Sequence, residues 1–195
     1  MKTIISPNKM SWPELLRRPT KTVDDIEETV LEIFNDVERR GDSAILEYTR
    51  KFDDVKLDSI EVSETEIKDA INKIPDALKQ AINHARINIE RFHKAQLTDP
   101  VEVETTPGVH CWMEKRPIEK VGLYIPGGTA PLFSTVLMLA IPARLAGCEE
   151  IVLCSPPDRE GKLAPEILYT AHLCGVSKIF KVGGIQAIAG LTYGT

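Results

Sequence analysis

Residues 120–155, KVGLYIPGGTAPLFSTVLMLAIPARLAGCEEIVLCS, decide the fold. A short apolar run, KVGLYIP, meets the turn Pro126-Gly127-Gly128. An apolar segment of helical length follows, closes near Gly147 and gives way to a second short run, EIVLCS. Two short apolar runs joined by such a segment are the pattern of parallel strands linked by a crossover helix. The alternation continues downstream: LAPEILYTAHLCGV reads as a helix closing at Gly175, KIFKV as a strand, and IQAIAGLTYG as a helix closing at Gly194. The fold class is therefore α/β, with an incomplete Rossmann-like parallel unit over residues 118–195. Three strand-helix units make half of a doubly wound sheet, so the sheet reads as incomplete, truncated at its C-terminal side. Pro142 predicts a kinked or divided first helix. The polar stretch DREGKLAP, residues 158–165, reads as a surface loop that leaves any crevice undisturbed.

Upstream of this unit the composition changes. Residues 1–117 carry 41 of the 53 charged residues and only two of the twelve glycines, so the polar exterior belongs mostly to this part. It reads as a mainly helical region with a hairpin. Val23, Ile26, Val30, Ile33, Phe34 and Val37 make one helical stripe ending at Gly41, with Thr20 or Thr22 as its cap and Asp24, Asp25, Glu27 and Glu28 at the positive end of its dipole. A second helix over 42–52 presents Ile45, Leu46, Tyr48 and Phe52. Ser63 and Glu66 form a capping-box signature for a third, which Pro75 stops. Residues 76–97 place Leu78, Ile82, Ala85, Ile89 and Phe92 on one face of a long helix. Val101 and Val103 alternate with Glu102 and Glu104 before Pro107-Gly108, predicting a β-hairpin.

The composition narrows the function. With 195 residues, 43% hydrophobic and 27% charged, the chain is long enough for a buried core and is neither low-complexity nor collagen-like. VLMLAIPA, residues 136–143, is too short to cross a bilayer, and MKTIISPNKM lacks the apolar core of a signal peptide, so a soluble cytoplasmic protein without a membrane partner is expected. A net charge of −5 gives no electrostatic ground for a nucleic-acid partner. Cys111, Cys148, Cys154 and Cys174 form no C-x-x-C pair and read as reduced, inert thiols. His84, His93, His110 and His172 show no metal-ligand spacing.

Two turns are candidate sites. YIPGGTAPLFST, residues 124–135, runs from a strand through paired glycines into a helix start that can receive an anion; a plain tight strand-to-helix turn accounts for it equally well. Its intervals are not those of G-x-G-x-x-G. VGGIQAIAG, residues 182–190, repeats the arrangement with Gln186 as the polar residue of an apolar run, placed to meet a ligand or to satisfy nearby backbone. No catalytic acid, base or nucleophile can be assigned from spacing.

KVGLYIPGGTAPLFSTVLMLAIPARLAGCEEIVLCSPP, ILYTAHLCGV and VGGIQAIAGLTYGT closely resemble histidinol dehydrogenases, as do ERRGDSAILEYTRKFD and PGVHCWMEKRPIEKVGLY upstream. The resemblance implies the aldehyde-dehydrogenase-like fold group and an oxidation of L-histidinol through the aldehyde to L-histidine. That activity would use two NAD+, a bound zinc and a homodimer. Matched residue by residue, it implies that Tyr124 and Gln186 bind the dinucleotide, with Pro126, Gly127 and Gly128 shaping the same loop. Ile185 stands where the family commonly has alanine. The family's catalytic and zinc-holding residues come later in sequence, so the resemblance implies an N-terminal portion, inactive alone, that retains no stoichiometric zinc, binds NAD weakly and self-associates. Two other readings stand beside it: another aldehyde-dehydrogenase-like enzyme, and a stand-alone nucleotide-binding or interaction module.

Overall fold

A computed structural model of the chain describes residues 3–17, 24–128 and 130–195. After a 3-10 turn (Lys9–Ser11) come α1 (Trp12–Leu15), α2 (Asp24–Arg40), α3 (Asp42–Asp53), α4 (Glu64–Lys73) and α5 (Asp76–Lys94). The hairpin β1 (Val101–Thr106) and β2 (Val109–Met113) follows. Then strands and helices alternate: β3 (Lys120–Tyr124), α6 (Phe133–Leu145), β4 (Glu150–Ser155), α7 (Pro165–Leu173), β5 (Lys178–Lys181) and α8 (Gly184–Tyr193). The proposed caps Thr20 and Thr22, and Val23 of the stripe, lie outside the described residues, as do the side chains of Asp24 and Asp25.

The sheet is parallel in the order β3-β4-β5, with Leu123 opposite Leu153 and Leu153 opposite Ile179. Side chains on a strand alternate between faces. Leu123, Ile151, Leu153 and Ile179 therefore point toward α6 and α7, while Tyr124, Cys154 and Phe180 point toward α8. The helices ahead of the hairpin form the outer layers: α5 packs on α6 and α4 on α7, whereas α2 and α3 pack on α8. All three hydrophobic clusters consequently mix residues from before and after position 117. Close approach of α8 depends on Gly122, where a Cβ would lie 2.7 Å from the Leu191 side chain.

Local chemistry explains the boundaries. The Ser63–Glu66 capping box forms in both directions: Glu66 N–H donates to Ser63 Oγ at 3.2 Å and Ser63 N–H donates to Glu66 Oε2 at 2.9 Å. Glu66 Oε1 also accepts from Lys181 Nζ at 3.1 Å, tying α4 to β5. Residues 60–62 then run antiparallel along β5: Val62 N–H donates to the Ile179 carbonyl at 2.9 Å, and Lys181 N–H to the Ile60 carbonyl at 2.7 Å. The outer border of β5 is thereby sealed. At the end of α6, Gly147 takes a left-handed φ of +93°, so that Cys148 N–H reaches back to the Ala143 carbonyl at 3.1 Å.

Three sequence expectations need correction. Pro142 does not divide α6, which runs unbroken to Leu145. The carbonyl it leaves without a helical donor is that of Met138, a half-exposed residue. Phe52 and Phe92 lie on the predicted apolar faces of α3 and α5 yet are 51% and 65% exposed. Both sit near the C-terminal ends of their helices, and Phe52 stacks on Tyr48. The hairpin forms as expected, with every residue of both strands exposed.

Candidate functional site

The C-terminal ends of β3 and β4 and the turn after β5 surround a cavity of about 530 Å³. Open α/β sheets bind ligands at this end of the strands. Tyr124, Pro126, Gly127 and Gly128 line it from the first turn, Ser155, Pro156, Pro157 and Asp158 from the second, and Gly184 from the third. The 158–165 loop does not stand clear of this crevice: Asp158, Lys162, Leu163 and Ala164 form one of its walls. Burial of Leu163 in the cluster beneath α7 pulls the loop inward, and Asp158 Oδ1 pins it by accepting from the N–H groups of Glu160 and Lys162, both at 2.9 Å.

Three helices begin at the cavity wall. Their N-cap residues are Leu132 (α6), Ala164 (α7) and Gly183 (α8), none with a side chain able to cap, and none makes a side-chain cap hydrogen bond. The first turns of α6 and α8 also carry no acidic residue. The α7 start is a poor anion site, since Pro165 has no N–H and Glu166 is acidic; at α6 and α8 the first-turn N–H groups, apart from that of Gly184, make with the positive ends of the helix dipoles an anion-receptive surface. Lys162 is the cationic side chain of the wall, with its Nζ 3.2 Å from Glu160 on the exposed side.

Tyr124 ends β3 and lines the cavity. Its hydroxyl oxygen accepts from Gly184 N–H at 3.1 Å, joining the first turn to the third and leaving the phenolic proton free to donate. Gly184 has a left-handed φ of +62°, and a Cβ there would lie 2.9 Å from Gln186 Oε1. Gln186 is therefore directly behind Gly184. It does not itself line the cavity; it is 1% exposed, and neither Oε1 nor Nε2 has a hydrogen-bond partner among the described residues. A buried primary amide with no partner is costly and uncommon in native structures. The structure thus brings Tyr124 and Gln186 to the two sides of one glycine.

The two turns close on Pro156. A Cβ on Gly127 would lie 2.5 Å from Pro156 Cγ, and a Cβ on Gly183 would lie 2.5 Å from Pro156 Cβ and 3.1 Å from its Cα. Paired glycines in the sequence accordingly serve packing of the turns on a proline as well as approach to the cavity.

Asp53, at the last turn of α3, also lines the cavity, and spacing gave no hint of it. It reaches the site only because α3 packs on α8, a long-range arrangement without a local signature. Among the thiols, Cys154 and Cys174 are pushed up to about 11 by burial, which keeps them protonated and inert. Cys111 is exposed on the hairpin and is not a core thiol.

Comparison with known proteins follows the same outline. The family model described as histidinol dehydrogenase matches residues 16–195. The chain is 55% identical to the histidinol dehydrogenase of Bacteroides thetaiotaomicron over 195 residues, covering 100% of this chain and 46% of that protein. It is 53% identical over 198 residues to that of Salmonella typhimurium, covering 99% and 44%. It superposes with a TM-score of 0.91 on the crystal structure of histidinol dehydrogenase from Elizabethkingia anophelis, at 52% identity, covering 100% of this chain and 45% of that one. The chain spans just under half the length of the curated relatives it matches.

Proposed function

Because the chain belongs to the histidinol dehydrogenase family, we propose that it is the N-terminal portion of an enzyme that oxidises L-histidinol through the aldehyde to L-histidine as two NAD+ are reduced. In this reading residues 118–195 begin the dinucleotide-binding unit, residues 1–117 brace it, and the whole enzyme is a cytoplasmic homodimer. The observation that carries the cofactor assignment is the convergence of the starts of α6 and α8 on one cavity, neither with an acidic first turn or a capping N-cap side chain, beside the Tyr124 hydroxyl.

The residues present fit a dinucleotide. A pyrophosphate matches the first-turn N–H groups of α6 and α8, with Gly127 and Gly128 permitting backbone approach. Tyr124, its oxygen held by Gly184 N–H, directs its hydroxyl proton at the ligand. The unpartnered amide of Gln186 acquires a partner if ligand binding shifts the Gly183-Gly184 turn. When bound, NAD+ supplies the hydride acceptor; this chain's contribution is to hold and orient it. Zinc does not fit these residues: among the described residues no three His, Cys, Asp or Glu side chains come together, and its ligands in the proposed enzyme lie outside this chain. No step is assigned through it.

The test is a titration of the isotope-labelled chain with NAD+, followed by amide shifts. Movement confined to Gly127, Gly128, Gly184 and their neighbours is expected; undisturbed amides at millimolar NAD+ refute the assignment. Histidinol-dependent NADH formation should be absent from the chain alone. It should appear when the remaining portion of the Bacteroides relative is joined after Thr195, and a fusion that folds without turnover refutes the histidinol reading.

A further inference from the structure

The cavity carries two carboxylates whose circumstances differ. Asp158 is already employed, since its Oδ1 accepts two backbone N–H groups that hold the 158–162 turn. Asp53 is not. Its Oδ2 is buried with no hydrogen-bond partner among the described residues, although the residue lines the cavity. Burial raises its pKa above the ordinary carboxylate value, and no cation among the described residues offsets the cost of its charge. A carboxylate held part-buried beside an anion-receptive surface would repel a phosphate placed against it. Its acceptor oxygens suit a group that donates two hydrogen bonds and carries no charge.

We infer that Asp53 is the hydroxyl acceptor of this cavity, taking the vicinal diol of a ribose and thereby selecting a dinucleotide whose ribose hydroxyls are unmodified. This rests on the dinucleotide reading of the cavity and deepens it. A carboxylate that meets a ribose diol favours NAD over its 2′-phosphorylated form by hydrogen bonding to one and repelling the other. The role falls to α3 here because β4 ends in Ser155-Pro156-Pro157, and the acid that follows, Asp158, is committed to its own turn.

The experiment measures NAD and 2′-phospho-NAD affinities by calorimetry or amide shifts for the wild-type chain and Asp53→Asn, with the thermal midpoint of each. Asn keeps the shape and removes the charge. NAD affinity should fall about ten- to a hundredfold, as loss of a charged hydrogen bond implies. The preference for NAD over the phosphorylated form should narrow, while the midpoint holds or rises because a desolvated carboxylate has been neutralised. A lowered midpoint with unchanged affinity makes Asp53 purely structural and overturns the inference. Unchanged affinity at an unchanged midpoint overturns it as well. Wild-type chain that binds neither dinucleotide brings down the cavity assignment and the inference together, whereas wild-type binding with an unaffected variant overturns only the inference. Asp53→Ser, which lacks both the carboxylate and the amide, should behave like Asp53→Asn if the lost carboxylate is the cause; NAD binding restored to the wild-type level in Asp53→Ser would trace the Asn effect to its amide and overturn the inference.

Discussion

Pro156 offers a sharp test, because its ring meets the two glycine turns through different atoms. A Cβ at Gly127 would collide with Pro156 Cγ at 2.5 Å and lie at an ordinary 3.6 Å from Pro156 Cβ. A Cβ at Gly183 would collide with Pro156 Cβ at 2.5 Å and crowd its Cα at 3.1 Å. Overpacking of this kind costs about 1–3 kcal/mol, which for a chain of this size lowers the midpoint by roughly 2–12 °C. Both G127A and G183A should fall in that range. In a P156A background, however, Cγ and Cδ are gone while Cα and Cβ remain. G127A then meets no clash, and since Gly127 has no left-handed φ, stiffening of the unfolded chain should leave it neutral or stabilising by about 0.4–1 kcal/mol. G183A should stay as destabilising as before. Urea denaturation of the two double-mutant cycles reads the difference directly. A G127A/P156A coupling below about 0.5 kcal/mol, or equal rescue of G183A, would refute the geometry of the turns.

Three further outcomes follow from the packing. Ser63→Ala removes one side of the capping box and should cost about 0.5–2 kcal/mol by chemical denaturation; no change would show that the box is not formed. Glu66 is desolvated, which raises its pKa, but Ser63 N–H and Oγ and Lys181 outweigh this and hold it below its ordinary 4.5. With its folded-state value depressed, its contribution is present above that ordinary value and lost as pH falls through the folded one; the gap in stability between wild type and Glu66→Gln should therefore shrink below pH 4.5, and a constant gap would contradict the assignment. Finally, a thiol reagent should modify Cys111 alone in the native chain and all four cysteines in denaturant; rapid native labelling of Cys154 or Cys174 would contradict their burial.

The elements legible in the sequence were those encoded by short-range chemistry. Alternating apolar runs placed β3, β4 and β5, the Ser63–Glu66 spacing placed the start of α4, and Pro107-Gly108 placed the hairpin turn. Periodicity identifies an apolar face but not whether anything covers it, which is why Phe52 and Phe92 were expected inside and are found outside. The site divides in the same way. Tyr124 and the paired glycines stand on strand-to-helix turns that any reader of the pattern can find. The 158–165 wall depends on one buried leucine inside a polar stretch, and Asp53 depends on how α3 lies against α8. Both are properties of the assembled layers, and no window of neighbouring residues contains them.

The pairing of residues 60–62 with β5 has a consequence for biosynthesis. Ile179, the partner of Val62, leaves the ribosome 117 positions later, a delay of about 6–24 s at ordinary translation rates. Two of the three hydrophobic clusters stay open through that interval, since one needs Ile179 itself and the other needs Val182, Ala187 and Ala189. The helices α2, α3 and α4 therefore emerge as amphipathic segments whose clusters are completed only by β5 and α8, and their apolar faces stay exposed for as long as translation takes to deliver those elements.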